Sequence, residues 1–504
     1  MTSSWASGYV ADVTYIEGFY SQQSPSRMAL ACLIGGVSAE ITRPDDPVHY
    51  LELGCGIGIG ALLIAAANPG WQITAIDYNP AHIAIGTSLA RAAKLANIRF
   101  LEADLTQLAG SALAQTIPMA DFVSMHGLWT WVGPEVRAGI VRLLAEKTVA
   151  GAMVHVSYNA MPSWQGGLAL QRIIYEGGRR AGGRSDRQAE AGLNLVRELQ
   201  AAEAQYLNES PLARDLIDTT GEMSREYLSH EYMNAFWAPA FHADVAAAMA
   251  QAKLDWVAAA NPLENFPELM LTAEQRAVMD RYDDPIMREL IKDTCLPRQL
   301  RHDVYVRGAQ RVGNAARDAA IARLDVAPII SAGELQTALR VPTGMAEMSD
   351  ALQGMMRAAL HGPTTIGDLL ASDPGRSNPA ELVGVLIGSS QYQVMTQPDY
   401  PQPESADRLN RVLGARVRSI AGPSSSGGLA CARLGTGFAT APLVQFIAAR
   451  LLGGETEADA PAWIAALSAD ILPEKHETVA NVVRTAIEQR VPLLRQLGIV
   501  PRVS

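Results

Sequence analysis

The 504-residue chain has few cysteines and an excess of acidic residues. Its four cysteines are widely separated and form no Cys-x-x-Cys pair, which argues against a disulfide framework and against a cysteine-based metal site. Its 41 lysines and arginines face 52 aspartates and glutamates, for a formal net charge of -11. Nucleic acids and anionic membranes reward a basic surface, so we expect neither as a partner.

Long apolar runs are also missing. The longest, Cys55 to Ala67, is interrupted by glycines and falls short of the roughly 20 residues that span a bilayer. The first residues, MTSSWASGYVADVTY, lack the basic start and apolar stretch of a secretory signal, so a cytoplasmic location is expected. With 48% hydrophobic and 18% charged residues the composition is that of a folded protein rather than a disordered one.

The first strong pattern is an extended run at 48–53 followed by Gly-x-Gly-x-Gly-x-Gly, Gly54 to Gly60, and a helix of small residues. Glycines let a ligand approach the backbone closely, and the free amides at a helix start face it. The next strand closes on Asp77, at the spacing of a ribose-binding carboxylate. These features predict a nucleotide-type cofactor site on a β-turn-α unit.

Strand and helix patterns then alternate. Alternation predicts a doubly wound, Rossmann-like α/β fold with a parallel sheet and a ligand cleft at the carboxyl ends of the strands. The predicted strands after the first are 72–80, 98–105, 120–129 and 153–159, with helices at 81–96 and 134–147 between them.

Beyond Asn159 the alternation stops, and an Ala-, Arg-, Glu- and Leu-rich stretch predicts a helical insertion. Strand patterns return at 253–261 and 301–308, which would complete a seven-stranded sheet. From Gly333 onward the sequence predicts a mostly helical region, with a faint winged-helix pattern around HGPTTIGDLLA and YQVMT. The predicted division is 1–164 for the N-terminal segment and cofactor-binding core, 165–235 for the insertion, 236–312 for the completion of the sheet, and 313–504 for a C-terminal regulatory or substrate domain.

A glycine turn with an acidic residue at the end of the second strand occurs in dehydrogenases as well as in methyltransferases. The sequence motifs around the turn must therefore distinguish these two enzyme classes. The motifs ADFVSMHGLWTWVGPEVR, GAMVHVSYNAMPSW, YLSHEYMNAFW and RQLRHDVYVRG resemble those of bacterial class I S-adenosylmethionine-dependent methyltransferases that carry a methyltransferase regulatory domain. Some members of that family are similar to the rickettsial-type enzymes that methylate lysines of an outer-membrane protein. One departure is Ser163, where the resemblance leads us to expect glycine.

The resemblance implies S-adenosylmethionine as cofactor, converted to S-adenosylhomocysteine, and it assigns roles by position. The glycines would approach the methionyl part, Asp77 would bind the ribose, and Asp104 with Leu105 would lie by the adenine. Simpler roles stay open: Glu52 could pair with a Lys or Arg, Asp104 could cap a helix, and Asp77 could stabilise a turn. The predicted cofactor-binding residues are Tyr15, Tyr20, Ser24, Glu52, Gly54, Cys55, Gly56, Asp77, Tyr78, Asp104, Leu105 and His126.

The strand ends after the fourth and fifth strands supply the predicted catalytic residues His126, Trp129, Tyr158 and Asn159, together with Trp131. His126 could accept a proton, the tryptophans could hold a cation, and Tyr158 could hydrogen-bond the acceptor. Alternatively the tryptophans are packing residues and His126 bonds a backbone group. His230 with Glu231 lacks a second histidine four residues on, so no metal is expected.

The leading functional hypothesis is methyl transfer to a lysine nitrogen of a protein or peptide by in-line displacement. Two alternatives stay open: a small-molecule N- or O-methyltransferase, and a cofactor-binding regulatory module without turnover. The expected partner is therefore a protein, peptide or small-molecule methyl acceptor, and the helical insertion offers a surface for a homodimer.

Overall fold

The computed structural model describes residues 8–13, 17–220, 223–372, 378–417, 427–469 and 472–502. Its centre is a seven-stranded sheet in the order β3-β2-β1-β4-β5-β7-β6. Strands β1 to β5 run parallel, and β7 lies antiparallel between β5 and β6. The strands are β1 His49–Leu53, β2 Gln72–Asp77, β3 Ile98–Glu102, β4 Ala120–Met125, β5 Thr148–Asn159, β6 Leu254–Ala259 and β7 Leu300–Arg307.

Helices cover both faces of this sheet, as the predicted fold class requires. Because both faces are covered, β1 is buried at every position, and so is the whole of the helix that follows the glycine turn. The fifth strand begins five residues earlier than predicted, at Thr148 rather than Met153. The helices before β5 are α1 Pro25–Ile34, α2 Ile59–Ala67, α3 Pro80–Ala92, α4 Leu105–Leu108, α5 Ala112–Gln115 and α6 Pro134–Lys147.

The predicted helical insertion follows β5 directly. It has an apolar core of its own, in which Leu170, Ile174, Leu193 and Val196 are buried. The insertion is therefore a packed unit beside the carboxyl end of the sheet. Its helices are α7 Leu168–Ala181, α8 Ser185–Ala201, α9 Gln205–Glu209, α10 Pro211–Thr219 and α11 Arg225–Tyr232.

The chain then returns to complete the sheet with β6 and β7, confirming the predicted late strands. A buried ionic cluster ties the last helix of this stretch to β7: Arg301 contacts Asp293 at 2.7 Å, Glu289 at 2.8 Å and Asp303 at 2.9 Å. Removing one member of such a buried cluster costs about 3–5 kcal/mol. The helices here are α12 His242–Ala250, α13 Pro267–Met270, α14 Ala273–Met279 and α15 Pro285–Cys295.

The C-terminal region is mostly helical, as predicted, but it also contains short strands, of which the sequence indicated only the extended run at 392–396. These strands are two to five residues long, too short for a clear alternation of apolar and polar residues. The helices are α16 Asn314–Ala322, α17 Asp350–Ala359, α18 Ile366–Ala371, α19 Pro379–Gly388, α20 Glu404–Ala415, α21 Pro442–Leu452, α22 Ala460–Ser468 and α23 His476–Gln496. The strands are β8 Asp325–Pro328, β9 Ala338–Val341, β10 Gly344–Glu347, β11 Thr364–Thr365, β12 Tyr392–Val394, β13 Gly427–Cys431 and β14 Thr436–Thr440.

Part of this region follows the winged-helix order of helix, strand, helix, helix and strand, from α17 through β11, α18 and α19 to β12. The difference lies in the third strand. In the sheet order β11-β8-β12 the central strand is β8, which precedes the helices instead of following them. Neither neighbour of the central strand is joined to it by a tight hairpin, so this sheet carries no hairpin wing.

The C-terminal region packs directly on the helix that follows the glycine turn. Asn68 at the end of α2 donates a hydrogen bond to the carbonyl of Gly435, at 2.8 Å, and Leu63 of α2 packs beside Gly437. The region thereby buttresses the back of the β1-α2 unit. Among the described residues, none of the helices combines the length and apolar character needed to cross a membrane. The division of the chain into four domains stays a prediction.

Candidate active site

A cavity of about 580 Å³ opens at the carboxyl ends of β1, β2 and β4, within the size range of small-molecule sites. In a parallel sheet this edge is where ligands bind, because the loops after successive strands meet there. The lining residues are Tyr9, Glu17, Gly18, Tyr20, Gln23, Glu52, Gly54, Cys55, Gly56, Ile57, Gly58, Ile59, Gly60, Asp77, Tyr78, Asp104, Leu105, Thr106, His126, Gly127, Leu128, Trp131, Val132, Gly133, Pro134, Glu135, Val136 and Phe236.

The glycine turn forms the floor of one end of the cavity. Gly54, Gly56 and Gly58 all have positive φ, at +68°, +56° and +74°, a conformation that side chains disfavour. Gly58 also precedes the first residue of α2, and a Cβ there would lie 2.5 Å from the ring of Phe100. The turn therefore requires glycine both for its backbone conformation and for space, and it exposes backbone to the cavity.

Asp77, the last residue of β2, braces this turn. Its Oδ2 accepts a hydrogen bond from the amide of Gly56 at 2.8 Å, and its Oδ1 accepts one from the amide of Asn79 at 2.8 Å. His82 approaches the same Oδ1 through Nδ1 at 3.3 Å. Asp77 thus stabilises its own turn, the simpler role that the sequence left open, and it also lies in the cavity wall where a ribose would be bound.

Glu52 of β1 is buried beside the start of α2. Gln23 donates to its Oε1 at 3.3 Å, whereas Oε2 finds no hydrogen-bond partner among the described residues. Burial raises the pKa of Glu52 to about 8, and the negative charge of Asp77 adds to the effect. The carboxyl group does not pair with a lysine or arginine in the described chain, so it is placed to receive a positively charged group of a ligand.

Asp104 and Leu105 lie at the end of the loop after β3. Asp104 caps α4, because its Oδ1 accepts from the amide of Thr106 at 2.8 Å, and it lines the cavity as well. Both roles that the sequence suggested are therefore compatible in one residue. Tyr78, directly after Asp77, lies in the same wall and stands with Asp104 on the side expected for the adenine.

Tyr20 and His126 stack on each other in the wall of the cavity. Their rings stack with centroids 3.9 Å apart and an interplanar angle of 26°. The Nδ1 atom of His126 lies 3.3 Å from the hydroxyl of Ser157, and burial lowers its pKa well below 6.5. A histidine whose pKa is this low is a poor general base, which weakens the proton-accepting role expected for it.

Two other residues of the N-terminal segment do not extend this wall. Ser24 is buried, and its hydroxyl donates to the carbonyl of Ser21 at 2.6 Å rather than facing the cavity. The structure thus places the side chain of Ser24 in a turn hydrogen bond and outside the cavity lining, and its assignment to the cofactor stays a prediction. Tyr15 lies outside the described residues.

The two tryptophans of the Trp-Thr-Trp segment have different roles. Trp129 is 3% exposed and belongs to the core under the sheet, where the guanidinium of Arg137 lies 5.3 Å from its ring centroid. Trp131 lines the cavity, and its indole N–H finds no acceptor among the described residues. The catalytic role predicted for Trp129 is thus corrected: its neighbour Trp131 faces the ligand, since the turn of helix between them points the two rings apart.

Tyr158 and Asn159, the last residues of β5, are also placed away from the cavity. The hydroxyl of Tyr158 donates to Asp303 at 2.6 Å in the buried cluster around Arg301. The amide of Asn159 donates to the hydroxyl of Thr130 at 2.8 Å, and its side chain faces Glu231. Their predicted catalytic roles are corrected for the same reason: these groups bond partners inside the fold, whereas His126 alone of the four lines the cavity.

At one end of the cavity, sequence reasoning named Trp131 but missed Tyr9 and Phe236, which line the cavity there together with Gly133. A Cβ on Gly133 would lie 3.1 Å from the ring of Phe236, so this glycine gives the ring its space. Phe236 belongs to the aromatic motif YLSHEYMNAFW, and that motif was the available signal. Because this motif is far in sequence from the strand ends that form the cavity, the sequence did not indicate that Phe236 belongs to the site.

Comparison with known proteins names the family. Residues 51–147 match the methyltransferase domain, and residues 224–307 match the predicted methyltransferase regulatory domain. The protein is a class I S-adenosylmethionine-dependent methyltransferase. The matched methyltransferase segment contains the glycine turn, Asp77, Asp104 and His126, and the matched regulatory segment contains Phe236.

The chain is also similar to individual bacterial proteins. The methyltransferase is 27% identical to an uncharacterized protein of Synechocystis over 98% of this chain and 99% of the relative. It is 26% identical to the release factor glutamine methyltransferase of Escherichia coli over 33% of this chain and 66% of that enzyme. Its fold is similar to that of PKMT2 from Rickettsia typhi in complex with AdoHcy, with a TM-score of 0.69 and 14% identity over 96% of this chain and 99% of the other.

The cavity suits the cofactor of this class. S-adenosylmethionine carries an ammonium group, a carboxylate, a ribose and an adenine. The unpartnered Oε2 of Glu52 would receive the ammonium, the glycine turn would admit the methionyl chain, and Asp77 would bind the ribose hydroxyls. When bound, the cofactor supplies an activated methyl group on its sulfonium.

Proposed function

We propose that the protein transfers the methyl group of S-adenosylmethionine to the side-chain nitrogen of a lysine in a protein or peptide. The observation that carries this proposal is the charge of the cavity. Its lining contains five carboxylic acids and, among the described residues, no lysine or arginine. Such a wall favours cations, and lysine is the cationic side chain that accepts methyl groups on a single exposed nitrogen.

The acids occur at both ends of the cavity. Glu52, Asp77 and Asp104 lie at the cofactor end, whereas Glu135, in the first turn of α6, is two residues from Gly133, which lies against the ring of Phe236. Glu17 also lines the cavity, but Arg416 of the C-terminal region holds it in an ion pair. The carboxylate of Glu135 would attract an acceptor that carries positive charge when it arrives.

The end of the cavity that carries aromatic rings, called here the aromatic end, suits a long, slender cation. Trp131, Phe236 and Tyr9 provide ring faces, and an ammonium within about 6 Å of such a face gains about 0.5–2 kcal/mol. The methylene stem of a lysine gains apolar contact with the same rings. The free indole N–H of Trp131 would donate to a carbonyl of the acceptor polypeptide.

Transfer itself needs an unprotonated nitrogen in line with the methyl–sulfur bond. At pH 7 deprotonating a free lysine costs about 4.6 kcal/mol, from a reference pKa near 10.4. Desolvation in the aromatic end lowers that cost, because burial disfavours the ammonium form. The nitrogen lone pair then attacks the methyl carbon, the carbon–sulfur bond breaks, and the electron pair stays on sulfur.

The test is to incubate the full chain with methyl-deuterated S-adenosylmethionine and a bacterial lysate, and to map the label by mass spectrometry. We expect label in proteins, on lysine nitrogen. A lysate whose amines have been acetylated beforehand is the matched acceptor control and should take up no label.

The Asp77→Ala enzyme is the matched enzyme control, because it should lose cofactor binding and with it the labelling. Label confined to small molecules, or found on glutamine amide nitrogen, would overturn the lysine proposal while leaving the methyltransferase assignment intact.

A further inference from the structure

Three histidines from neighbouring strands meet below the middle of the cavity. His126 follows β4, His155 lies in β5 and His302 in β7. Their ring centroids are 5.4, 5.5 and 6.2 Å apart, with interplanar angles of 11–16°. One nitrogen from each ring lies within 4.8 Å of the others. The three rings are thus nearly parallel, and one nitrogen of each lies close to the other two.

Hydrogen bonds determine which nitrogens face that centre. The hydroxyl of Ser124 lies 3.1 Å from Nδ1 of His155, and the hydroxyl of Ser157 lies 3.3 Å from Nδ1 of His126. The Nε2 atoms of these two rings are therefore left for another partner. Nε2 of His155 lies 3.1 Å from Nδ1 of His302. A partner on the far nitrogen that fixes ring orientation is the usual environment of a metal-binding histidine.

Two of the three rings are buried inside the sheet: His155 is 0% exposed and His302 is 6% exposed. Of the carboxylates near His302, Asp303 is paired with Arg301 at 2.9 Å and Glu264 with Arg298 at 3.4 Å. The charges around the rings are therefore close to balanced.

We propose that Nε2 of His126, Nε2 of His155 and Nδ1 of His302 bind one transition-metal ion, with zinc, cobalt and nickel as the class that prefers imidazole ligands. Nitrogen–metal distances of about 2.0–2.1 Å place tetrahedral ligand nitrogens about 3.4 Å apart. The 3.1 Å contact between His155 and His302 already matches that spacing. His126, at the cavity wall, would move inward to complete the set.

The site leaves a coordination position towards the cavity, because His126 is the ligand that lines it. Three histidines with one open position is the arrangement of a metal site that binds a further small ligand. This proposal goes beyond the lysine acceptor and does not depend on it. The histidines are far apart in sequence, since His155 and His302 are separated by 147 positions. No spacing motif in the sequence therefore indicates that they form one site.

The test is a titration of the chelator-treated full chain with Co²⁺, followed by visible absorption and by metal analysis after dialysis. We expect one Co²⁺ per chain, an absorption band typical of tetrahedral nitrogen ligands, and displacement by Zn²⁺. His155→Gln and His302→Gln should each weaken Co²⁺ binding at least 100-fold. Ser124→Ala, which removes no ligand, should weaken it by about 10–100-fold.

His361→Gln is the matched control. His361 is an exposed histidine of the C-terminal region, so this variant should bind Co²⁺ as the unaltered chain does. S-adenosylmethionine affinity and thermal unfolding of each variant show that it is folded. A chain that takes up no stoichiometric Co²⁺, or a His155→Gln/His302→Gln double variant that binds Co²⁺ as well as the unaltered chain, would overturn the proposal. Neither result bears on lysine methylation.

Discussion

The two ends of the cavity are built in different ways. The cofactor end is formed by consecutive strand-to-helix turns, with Glu52, the glycine turn and Asp77 within one short stretch of chain. The opposite end brings together Tyr9, Trp131 and Phe236 from three distant segments. One end is thus a local structure built from neighbouring stretches of sequence, while the other depends on how this particular chain folds back on itself.

The two ends of the cavity also differ in the kinds of interaction that they offer a ligand. At the cofactor end, backbone amides and carboxylates dominate, and their hydrogen bonds are short, as between Asp77 and Gly56 at 2.8 Å. At the other end, ring faces and the free indole N–H of Trp131 dominate. Substitutions at the first end should therefore act on cofactor binding, and substitutions at the second on the acceptor.

Asp77→Ala should produce the largest effect, a loss of about 100-fold in S-adenosylmethionine affinity, since hydrogen bonds to a charged group are worth about 1.5–3 kcal/mol each. Calorimetry of the purified chain measures it. Asp121→Ala is the control, because Asp121 also accepts a backbone hydrogen bond, from His49 at 2.8 Å, but does not line the cavity. Equal cofactor affinity in the Asp77→Ala and unaltered chains would remove Asp77 from the site.

Trp131→Ala should lower kcat/KM for the protein acceptor by about 30-fold, from a desolvated cation–π contact of about 2 kcal/mol. Cofactor affinity should stay unchanged. Trp129→Ala is the paired substitution, and it should instead lower the free energy of unfolding by about 3–5 kcal/mol, because Trp129 is a core residue. Equal kinetic effects from the two folded variants would erase the distinction drawn between these residues.

The pH dependence of cofactor binding should reveal Glu52, whose pKa is raised to about 8. Below that pH the carboxyl group must release a proton before it can bind the ammonium of the cofactor. Affinity should therefore rise up to about tenfold per pH unit below pH 8 and level off above it. Calorimetry between pH 6 and pH 8 measures the slope, and Glu52→Gln should abolish it; a slope that survives this substitution belongs to another group.

Phe236→Leu should have the smallest effect, a rise of about threefold in KM for the acceptor with kcat nearly constant. Phe236 is 46% exposed, so its ring loses only part of its contact with water when the acceptor binds. Steady-state kinetics with a labelled peptide measures it. An equal loss of cofactor affinity would mean that the two ends of the cavity are not separable.

Most of the fold could be predicted from the sequence because its signals are local. The alternation of strands and helices, the helical insertion and the late return of two strands all follow from periodicities within single elements. Apart from β12, which the extended run YQVMT indicated, the small strands of the C-terminal region could not be predicted, since β11 has two residues and β8 is defined by partners far along the chain.

The residues of the candidate site likewise differ in how far the sequence predicts them. Glu52, the glycine turn, Asp77 and Asp104 were recognisable because each lies at or just after the end of a strand, and all of them line the cavity. Tyr158 and Asn159 also end a strand, yet they bond Asp303 and Thr130 inside the fold. The position of a residue at a strand end predicts where its backbone lies, but not which partner its side chain will find.

The sequence by itself therefore determined the β-turn-α cofactor unit and the sheet that carries it, because those depend on glycine conformations and on periodicity along the chain. Only the tertiary structure decided that Trp131 rather than Trp129 faces the cavity, that Phe236 joins it there, and that three histidines converge beneath it. Those choices depend on packing between segments that are distant in sequence, and packing is settled by the whole fold at once.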